Sequence, residues 1–596
     1  MSYSAPVRDM LFVIEELAGL DELCKLPGLE EATPDLVAHI LEESAKFCGE
    51  VLAPLNWTGD REGAVLKDGV VTTPKGFKEA YSQFTQAGWT ALEGPAEYGG
   101  QGLPKIVGAP IIEMWKASNI SFALCPMLTA GAIEALILRG TDEQKRTFLP
   151  NMVSGVWTGT MNLTEPQAGS DLAQVKTRAV PEGKHYRIYG QKIFITYGDH
   201  DLAENIVHLV LARTPDAPPG VKGISLFIVP KVLVNADGSL GERNDVKCIK
   251  LEEKLGIHAS PTCVMVFGDE RGAVGYLVGE ENRGLEYMFI MMNAARFGVG
   301  MEGVGLADRA YQRAAAYAKE RVQSREIGGS GSAPVTIIHH PDVRRMLMSM
   351  RAAAEATRAL AYVVAGAIDR AHHHPDEAER KKNHAFVDLM IPVVKGWSTE
   401  TAIEVASTGV QVHGGMGFVE ETGAAQHLRD ARITTIYEGT TGIQANDLIG
   451  RKIGREGGVT AKAVVAEMKS DAAALARSGD EDLKAIGGRL AAGIAALEGS
   501  VDWIVANFSS DPKAVHAGAV PFLDLMGIVS GGWQMGRAAL AAQAKLAKGE
   551  GDAAFLRAKI ATARFFADHY LAHAPGLRAT VTEGARGVLA LAAEQF

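Results

Sequence analysis

The stretch Ile433-Thr434-Thr435-Ile436-Tyr437-Glu438-Gly439-Thr440-Thr441-Gly442-Ile443-Gln444 decides how the rest of the chain is read. It begins as an apolar, β-branched run and breaks into a Glu-Gly turn. Beyond the turn, Thr440 or Thr441 is placed to cap a helix running through Asn446 to Lys452. A carboxylate that follows an apolar run and precedes a helix start stands between wet and dry surroundings. Lost solvation there raises a pKa, which suits a general base. A solvated Glu near a helix N-terminus, where acidic residues are common, explains the same residues. The stretch alone leaves both readings of Glu438 open.

The surrounding chain has 596 residues, too many for one ordinary core, so several domains are expected. Apolar residues make up 47% and charged residues 22%, a globular balance. A net charge of -11 disfavours nucleic acid and anionic membrane surfaces as primary partners. The five cysteines (Cys24, Cys48, Cys125, Cys248, Cys263) are odd in number and contain no C-x-x-C pair. They read as reduced thiols of a cytoplasmic protein rather than a disulfide frame or a metal site. The start, Met1 to Met10, carries charge and Pro where a signal peptide needs an apolar core, and no segment is read as a bilayer span. A soluble protein without integral membrane association is expected.

Texture divides the chain into four parts. Residues 1–156 are mostly helical, interrupted by the Gly-rich loop Pro95-Ala96-Glu97-Tyr98-Gly99-Gly100-Gln101-Gly102. Residues 157–280 carry short β-branched runs such as Tyr186–Tyr189, Ile193–Thr196, Ile206–Leu211, Ile224–Val229 and Cys263–Phe267, which predict an antiparallel sheet or barrel. Residues 281–455 return to long helices, one from Met288 to Arg325 and another from Pro341 through Ala371. The run His372-His373-His374 reads as a solvated loop, since three adjacent histidines cannot all face one metal from a helix. Residues 456–596 are Ala-rich and helical, with Leu556, Ile560, Ala563, Ala567 and Tyr570 on one face and Lys559, Arg564 and Asp568 off it.

Read with its upstream motifs, Tyr437-Glu438-Gly439-Thr440 resembles the base motif of the acyl-CoA dehydrogenase family. Thr164-Glu165-Pro166-Gln167-Ala168-Gly169-Ser170-Asp171, Phe194-Ile195-Thr196 and Gln411-Val412-His413-Gly414-Gly415-Met416-Gly417-Phe418 resemble the family's other motifs in the same order, and 21 residues separate Gly417 from Glu438 as in the family. The resemblance implies a mainly α fold with a central β-domain: an N-terminal helical domain, a middle β-barrel, a C-terminal helical bundle, and an added C-terminal helical domain. It is similar in layout to the 3-methylmercaptopropionyl-CoA dehydrogenase group, in the Ala5–Asp9 start as well as in the added module.

The resemblance also implies roles. Glu438 takes the α-proton of an acyl-CoA thioester while FAD takes a hydride from the β-carbon. Leu163, Thr164, Gly169, Ser170, Phe194, Thr196, Arg321, Gln411, Gly415 and Thr440 are expected to hold FAD. Ser170, Arg296, Tyr437 and Gly439 are expected to hold substrate, and no metal is expected. Phe194 stands where the family has Trp, which keeps an aromatic wall and loses an N–H donor. Gln167 stands where the family often has Gly and is given no role. Ala295 leaves Glu438 as the sole candidate base, because some relatives carry theirs beside the Arg. The Phe-Gly that follows the family Arg is missing after Arg321. Electron-transfer flavoprotein is the expected acceptor and a homodimer the expected assembly. An acyl-CoA oxidase using dioxygen is the alternative within this chemistry. A nucleic-acid-associated flavoprotein of the same fold is disfavoured by the acidic chain and by Glu438 itself.

Overall fold

Local turn chemistry and the burial of apolar faces build two compact units in the computed structural model, which describes residues 3–596. Met1 and Ser2, part of the segment read against a signal peptide, lie outside the described residues. The first unit holds Phe47–Leu103 and Ser118–Gly298, and the second holds Tyr3–Lys46, Pro104–Ala117 and Val299–Phe596.

In the first unit a hairpin interrupts the expected helical texture: β1 (Val65–Lys67) pairs with β2 (Val70–Thr72). Its turn, Asp68-Gly69, has φ of 51° and 76°, the mirror-image turn that joins twisted strands tightly. An Asp-Gly between two valine-containing runs carried that signal, and the helix reading missed it.

The middle sheet follows from the β-branched runs. Its strands are β3 (Trp157–Asn162), β4 (Arg178–Glu182), β5 (His185–Thr196), β6 (Asn205–Ala212) and β7 (Ser225–Pro230). After a small hairpin of β8 (Val232–Val234) and β9 (Leu240–Arg243) come β10 (Val246–Leu251), β11 (Thr262–Phe267) and β12 (Ala273–Leu277). The order is β10-β11-β5-β12-β7-β6-β3, with β4 added on β5. Two runs expected as separate strands are the halves of β5. Its first half pairs with β4 and β12 and its second with β11. Gly190 sits at the changeover, where a Cβ would lie 2.4 Å from Thr177 Oγ1. The antiparallel expectation fails at one pair, since β3 runs parallel to β6. Every residue of β6 and β7 is buried, because both faces of this part of the sheet are covered. One face packs on Leu128, Leu136, Phe148 and Met152 of two helices, and the other on Ile188, Phe227 and Phe267.

One helix, Lys105–Arg139, is long and apolar enough to cross a bilayer by length and composition, against the reading that no segment is. In this fold 78% of its most apolar window is buried. The helix also kinks at Asn119, whose Oδ1 accepts from Phe122 N at 3.1 Å and restarts the second half.

The second unit is helical. Pro341–His373 lies against Glu377–His413, and the C-terminal helices Ala519–Lys548 and Ala553–His569 pack on the first of these. Small residues let the added module close in: a Cβ at Gly527 would lie 2.2 Å from Trp397 Cγ, and one at Gly396 would lie 2.6 Å from Leu523 Cδ2. Three expectations are corrected here. Helix Gly284–Glu320 stops short of Arg325, because residues 321–337 fold back as a narrow ladder around the Val322–Thr336 bridge. His372 and His373 form the last turn of their helix rather than a loop. Lys559, placed off the buried face, is 1% exposed, and its ammonium bonds Asp9 and Glu355 at 2.7 Å each.

Candidate functional site

The stretch at 433–444 is not extended where strand-like residues suggested it. Arg432–Thr435 form a tight helical turn, since Thr434 Oγ1 donates to Ala431 O at 2.7 Å and offers the backbone an alternative to pairing. The chain then reverses through Glu438 at φ 53° and Gly439 at φ 89°. A residue with a Cβ costs on the order of 1–2 kcal/mol in this left-handed region, so it persists only where its surroundings over-determine it.

The surroundings do so from several sides. Lys395, wholly buried on helix Glu377–His413, donates to Thr434 O at 2.8 Å and Gly439 O at 2.7 Å, tying the two ends of the turn together. Gln444 Nε2 donates to Glu438 O at 3.3 Å and Gly439 O at 3.2 Å. At φ 89° Gly439 takes a backbone that residues with a Cβ rarely adopt, and a Cβ there would also lie 2.7 Å from that same nitrogen. Of the two cap candidates, Thr440 is the cap: its Oγ1 accepts from Ile443 N at 3.2 Å and opens helix Thr441–Asp447. Thr441 Oγ1 donates instead to Glu400 Oε1 at 2.5 Å. Tyr437 Oη donates to Glu302 Oε2, and Glu302 Oε1 accepts from Lys116 Nζ at 2.7 Å. Glu438 itself is half-buried. Lys395, Glu302 and Lys116 were not singled out from sequence. The available signal was a lone charge within an apolar helical run, such as Ile391-Pro392-Val393-Val394-Lys395-Gly396-Trp397.

In the same unit, the Gly-rich motif closes helix Glu377–His413. Gln411, Gly414 and Gly415 are exposed, and a Cβ on either glycine would meet nothing within 4 Å. Beneath them the buried His413 ring stacks on Tyr317 at 4.3 Å. Arg321 is the exposed residue just past Glu320.

In the first unit, β5 organises the second group. Ile193 N donates to Thr164 O at 2.9 Å and Lys192 Nζ to Leu163 O at 3.0 Å. These bonds bring Leu163 and Thr164 beside the strand that carries Phe194 and Thr196. Phe194 stands at φ 59° with its side chain 59% exposed, and Thr196 is half-buried. Gly169 and Ser170 lie at the exposed tip of the loop that follows β3. Glu165 pins that loop: it accepts from Lys192 Nζ at 2.8 Å, Thr177 Oγ1 at 2.6 Å and Lys176 N at 2.7 Å. Gln167, given no role above, donates to Glu165 Oε2 at 2.6 Å.

Burial pushes the Glu165 carboxyl up, but the Lys192 ammonium and the hydrogen bonds from Lys192, Thr177 and Lys176 outweigh it and hold the group down to about 2. A depressed carboxyl contributes stability that is complete above the ordinary Glu range and is lost as pH falls through its folded value. The 163–177 loop is therefore expected to resist limited proteolysis unchanged from neutral pH down to about pH 4.5. Earlier cleavage would contradict this anchoring.

Arg296 is 6% exposed on helix Gly284–Glu320, beside Met288 and Ala295, which are also buried. The Pro95–Gly102 loop is tied by backbone bonds from Gln101 N to Ala91 O and from Gly102 N to Gly94 O. Gly100 is required there, since a Cβ would lie 1.9 Å from Gly94 O. Among the described residues, no group of three or more His, Cys, Asp or Glu side chains is placed to hold a metal ion.

Four family models match consecutive blocks of the chain. They are the acyl-CoA dehydrogenase N-terminal domain over 38–156, its middle domain over 160–269, its C-terminal domain over 282–453, and the acetyl-CoA dehydrogenase C-terminal-like domain over 464–592. The chain is 53% identical to a 3-methylmercaptopropionyl-CoA dehydrogenase of Ruegeria pomeroyi, with 98% of each chain covered. It is 37% identical to a butyryl-CoA dehydrogenase of Syntrophomonas wolfei, covering 95% of this chain and 94% of that one. A Bacillus anthracis acyl-CoA dehydrogenase solved in complex with FAD has the same fold, with a TM-score of 0.74 at 22% identity over 94% of this chain and 91% of that one. The chain is thus an enzyme of the acyl-CoA dehydrogenase family, of the long type with an added C-terminal domain.

Proposed function

We propose that this enzyme oxidises an acyl-CoA thioester to its trans-2-enoyl-CoA with FAD as cofactor, Glu438 serving as the base for the α-proton. The observation that carries the reading is the left-handed backbone of Glu438, held by the buried Lys395 ammonium, Gln444 and Tyr437. Strain of this kind, maintained at a carboxylate, is what a fixed base requires. An α-proton beside a thioester carbonyl is a very weak acid. The base must therefore be aligned in advance, with N–H donors set to receive charge developing on the carbonyl oxygen. The Glu438 backbone N–H is the donor we assign to that oxygen, with Tyr437, Gly439, Arg296 and Ser170 shaping the thioester site.

FAD, when bound, supplies the acceptor for the β-hydride. The residues present fit it. Phe194 exposes an aromatic face of the kind a flat ring stacks on. The open faces of Gly414 and Gly415 leave room for close approach of a phosphate or ribose. We assign Leu163, Thr164, Phe194 and Thr196 to the ring, Gly169 and Ser170 to the pyrophosphate, Arg321, Gln411 and Gly415 to the adenosine diphosphate half, and Thr440 to the cofactor side of the base turn. The division 1–156, 157–280, 281–455 and 456–596 is our functional partition of the chain, and a cytoplasmic homodimer is its proposed form.

For substrate we propose a short acyl-CoA, 3-methylmercaptopropionyl-CoA first, supported by the names of the two relatives and by their near-complete coverage. Electron-transfer flavoprotein is the proposed acceptor. Steady-state rates over an acyl-CoA chain-length series that includes the methylthio thioester test the assignment. The highest kcat/KM is expected for the methylthio or four-carbon substrate, with no peroxide formed in air. A maximum at long chains would reject the substrate, and stoichiometric peroxide would favour the oxidase.

A further inference from the structure

We infer that Lys116 and Glu302 are positioning residues for the proposed base, acting through the Tyr437 hydroxyl. The inference rests on the reading of Glu438 given above and extends it to residues that touch neither substrate nor cofactor.

Lys116 and Glu302 lie on the parts of helices Lys105–Arg139 and Gly284–Glu320 that belong to the second unit and face each other across a close approach. A Cβ at Gly305 would lie 2.8 Å from Glu113 O and 2.9 Å from Ala117 N, so only a bare backbone lets the two helices come this near. The ion pair between them is 2.7 Å long, and its side chains are 1% and 0% exposed. A fully buried ion pair is no more stabilising than apolar side chains of the same volume, because desolvation consumes the attraction. Stability alone therefore does not account for its presence.

What the pair does is divide the carboxylate. Lys116 neutralises Oε1 of Glu302, while Oε2 accepts from Tyr437 Oη. The tyrosine ring is then fixed at its far end by a strong, charge-assisted bond. Its backbone is the residue entering the left-handed pair Glu438 and Gly439, at φ 53° and 89°. Lys395 ties Thr434 O to Gly439 O and Gln444 holds the Glu438 and Gly439 carbonyls, and the Tyr437 hydroxyl adds a side-chain bond on the residue that enters the pair. Without that bond the residue before Glu438 loses its side-chain anchor, and the Glu438 carboxylate is held less closely by the backbone bonds that remain.

The test uses the FAD-loaded full chain with butyryl-CoA. Tyr437→Phe removes the hydroxyl alone. Lys116→Met with Glu302→Leu removes both charges together, so that neither is left buried without its partner. Each is expected to lower kcat about 10- to 100-fold while KM stays within about twofold, as a base displaced by a fraction of an ångström does. Bound flavin, read from visible absorption, and the thermal midpoint should stay near wild type. Tyr437→Phe added to the double variant should lower kcat by less than about twofold more, because the three side chains act as one unit. The inference is overturned if Tyr437→Phe keeps kcat near wild type, if the losses multiply independently, or if they track lost flavin or lost folding. Turnover persisting in Glu438→Gln would instead overturn the base assignment and this inference with it.

Discussion

Glu438→Gln is expected to lower kcat by about 10²- to 10⁴-fold, the range attributed to a positioned general base, while FAD and acyl-CoA remain bound. Gln has nearly the shape of Glu and tolerates the same left-handed backbone, so the contacts of Lys395 with Thr434 O and Gly439 O are untouched. What is lost is the carboxylate charge and with it the basicity that the proposed proton transfer needs. Anaerobic mixing with butyryl-CoA, followed by visible absorption, separates the two effects. The spectrum should shift on binding and fail to bleach. Full bleaching at the wild-type rate would mean that another group takes the proton.

The second large effect concerns folding. Arg358 is buried with its guanidinium bonded to three carboxylates: Glu113 at 2.6 Å, Asp9 at 2.8 Å and Asp308 at 3.1 Å. Tyr362 Oη also donates to Glu113, at 2.6 Å. Although burial opposes its charge, Glu113, Asp308 and Asp9 hold the guanidinium well above its ordinary pKa. Burial pushes the Glu113 and Asp308 carboxyls up, and Arg358 is the main influence holding them down. Arg358→Met leaves those acids buried without their shared partner, a change expected to cost about 3–5 kcal/mol. Denaturant midpoints should fall accordingly, whereas the conservative loss in Tyr362→Phe removes one hydrogen bond and should cost about 1–2 kcal/mol. Equal midpoints for Arg358→Met and the wild type would mean that water or relaxation satisfies the acids. The same cluster holds the added module, because Lys559 reaches Asp9 and Glu355 from helix Ala553–His569.

That Lys559 is buried illustrates where reading from sequence stopped. Its periodicity placed it on the solvent side of an amphipathic helix. The N-terminal segment and helix Pro341–His373 meet it, and the carboxylates that make burial tolerable come from residues 204 and 550 positions away. The Asp68-Gly69 hairpin is a different kind of miss, since its signal was local and the helical texture around it was allowed to prevail. Parallel pairing of β3 with β6 had no local signal, because neighbouring strands in space are selected by packing and connection rather than by either run alone.

By itself the sequence determined the family, the mainly helical layout with a β-rich middle, a helix cap at Thr440 or Thr441 and Glu438 as the candidate base. Each of these is written in short-range patterns: hydrophobic period, capping chemistry and motif spacing. Tertiary structure alone decided how the candidate base is held. The left-handed turn at Glu438 is maintained by Lys395 from 43 residues upstream in the chain and by Glu302, which lies 135 residues before the Tyr437 it bonds. A strained backbone persists only where distant groups converge on it, and that convergence exists once the helices have packed.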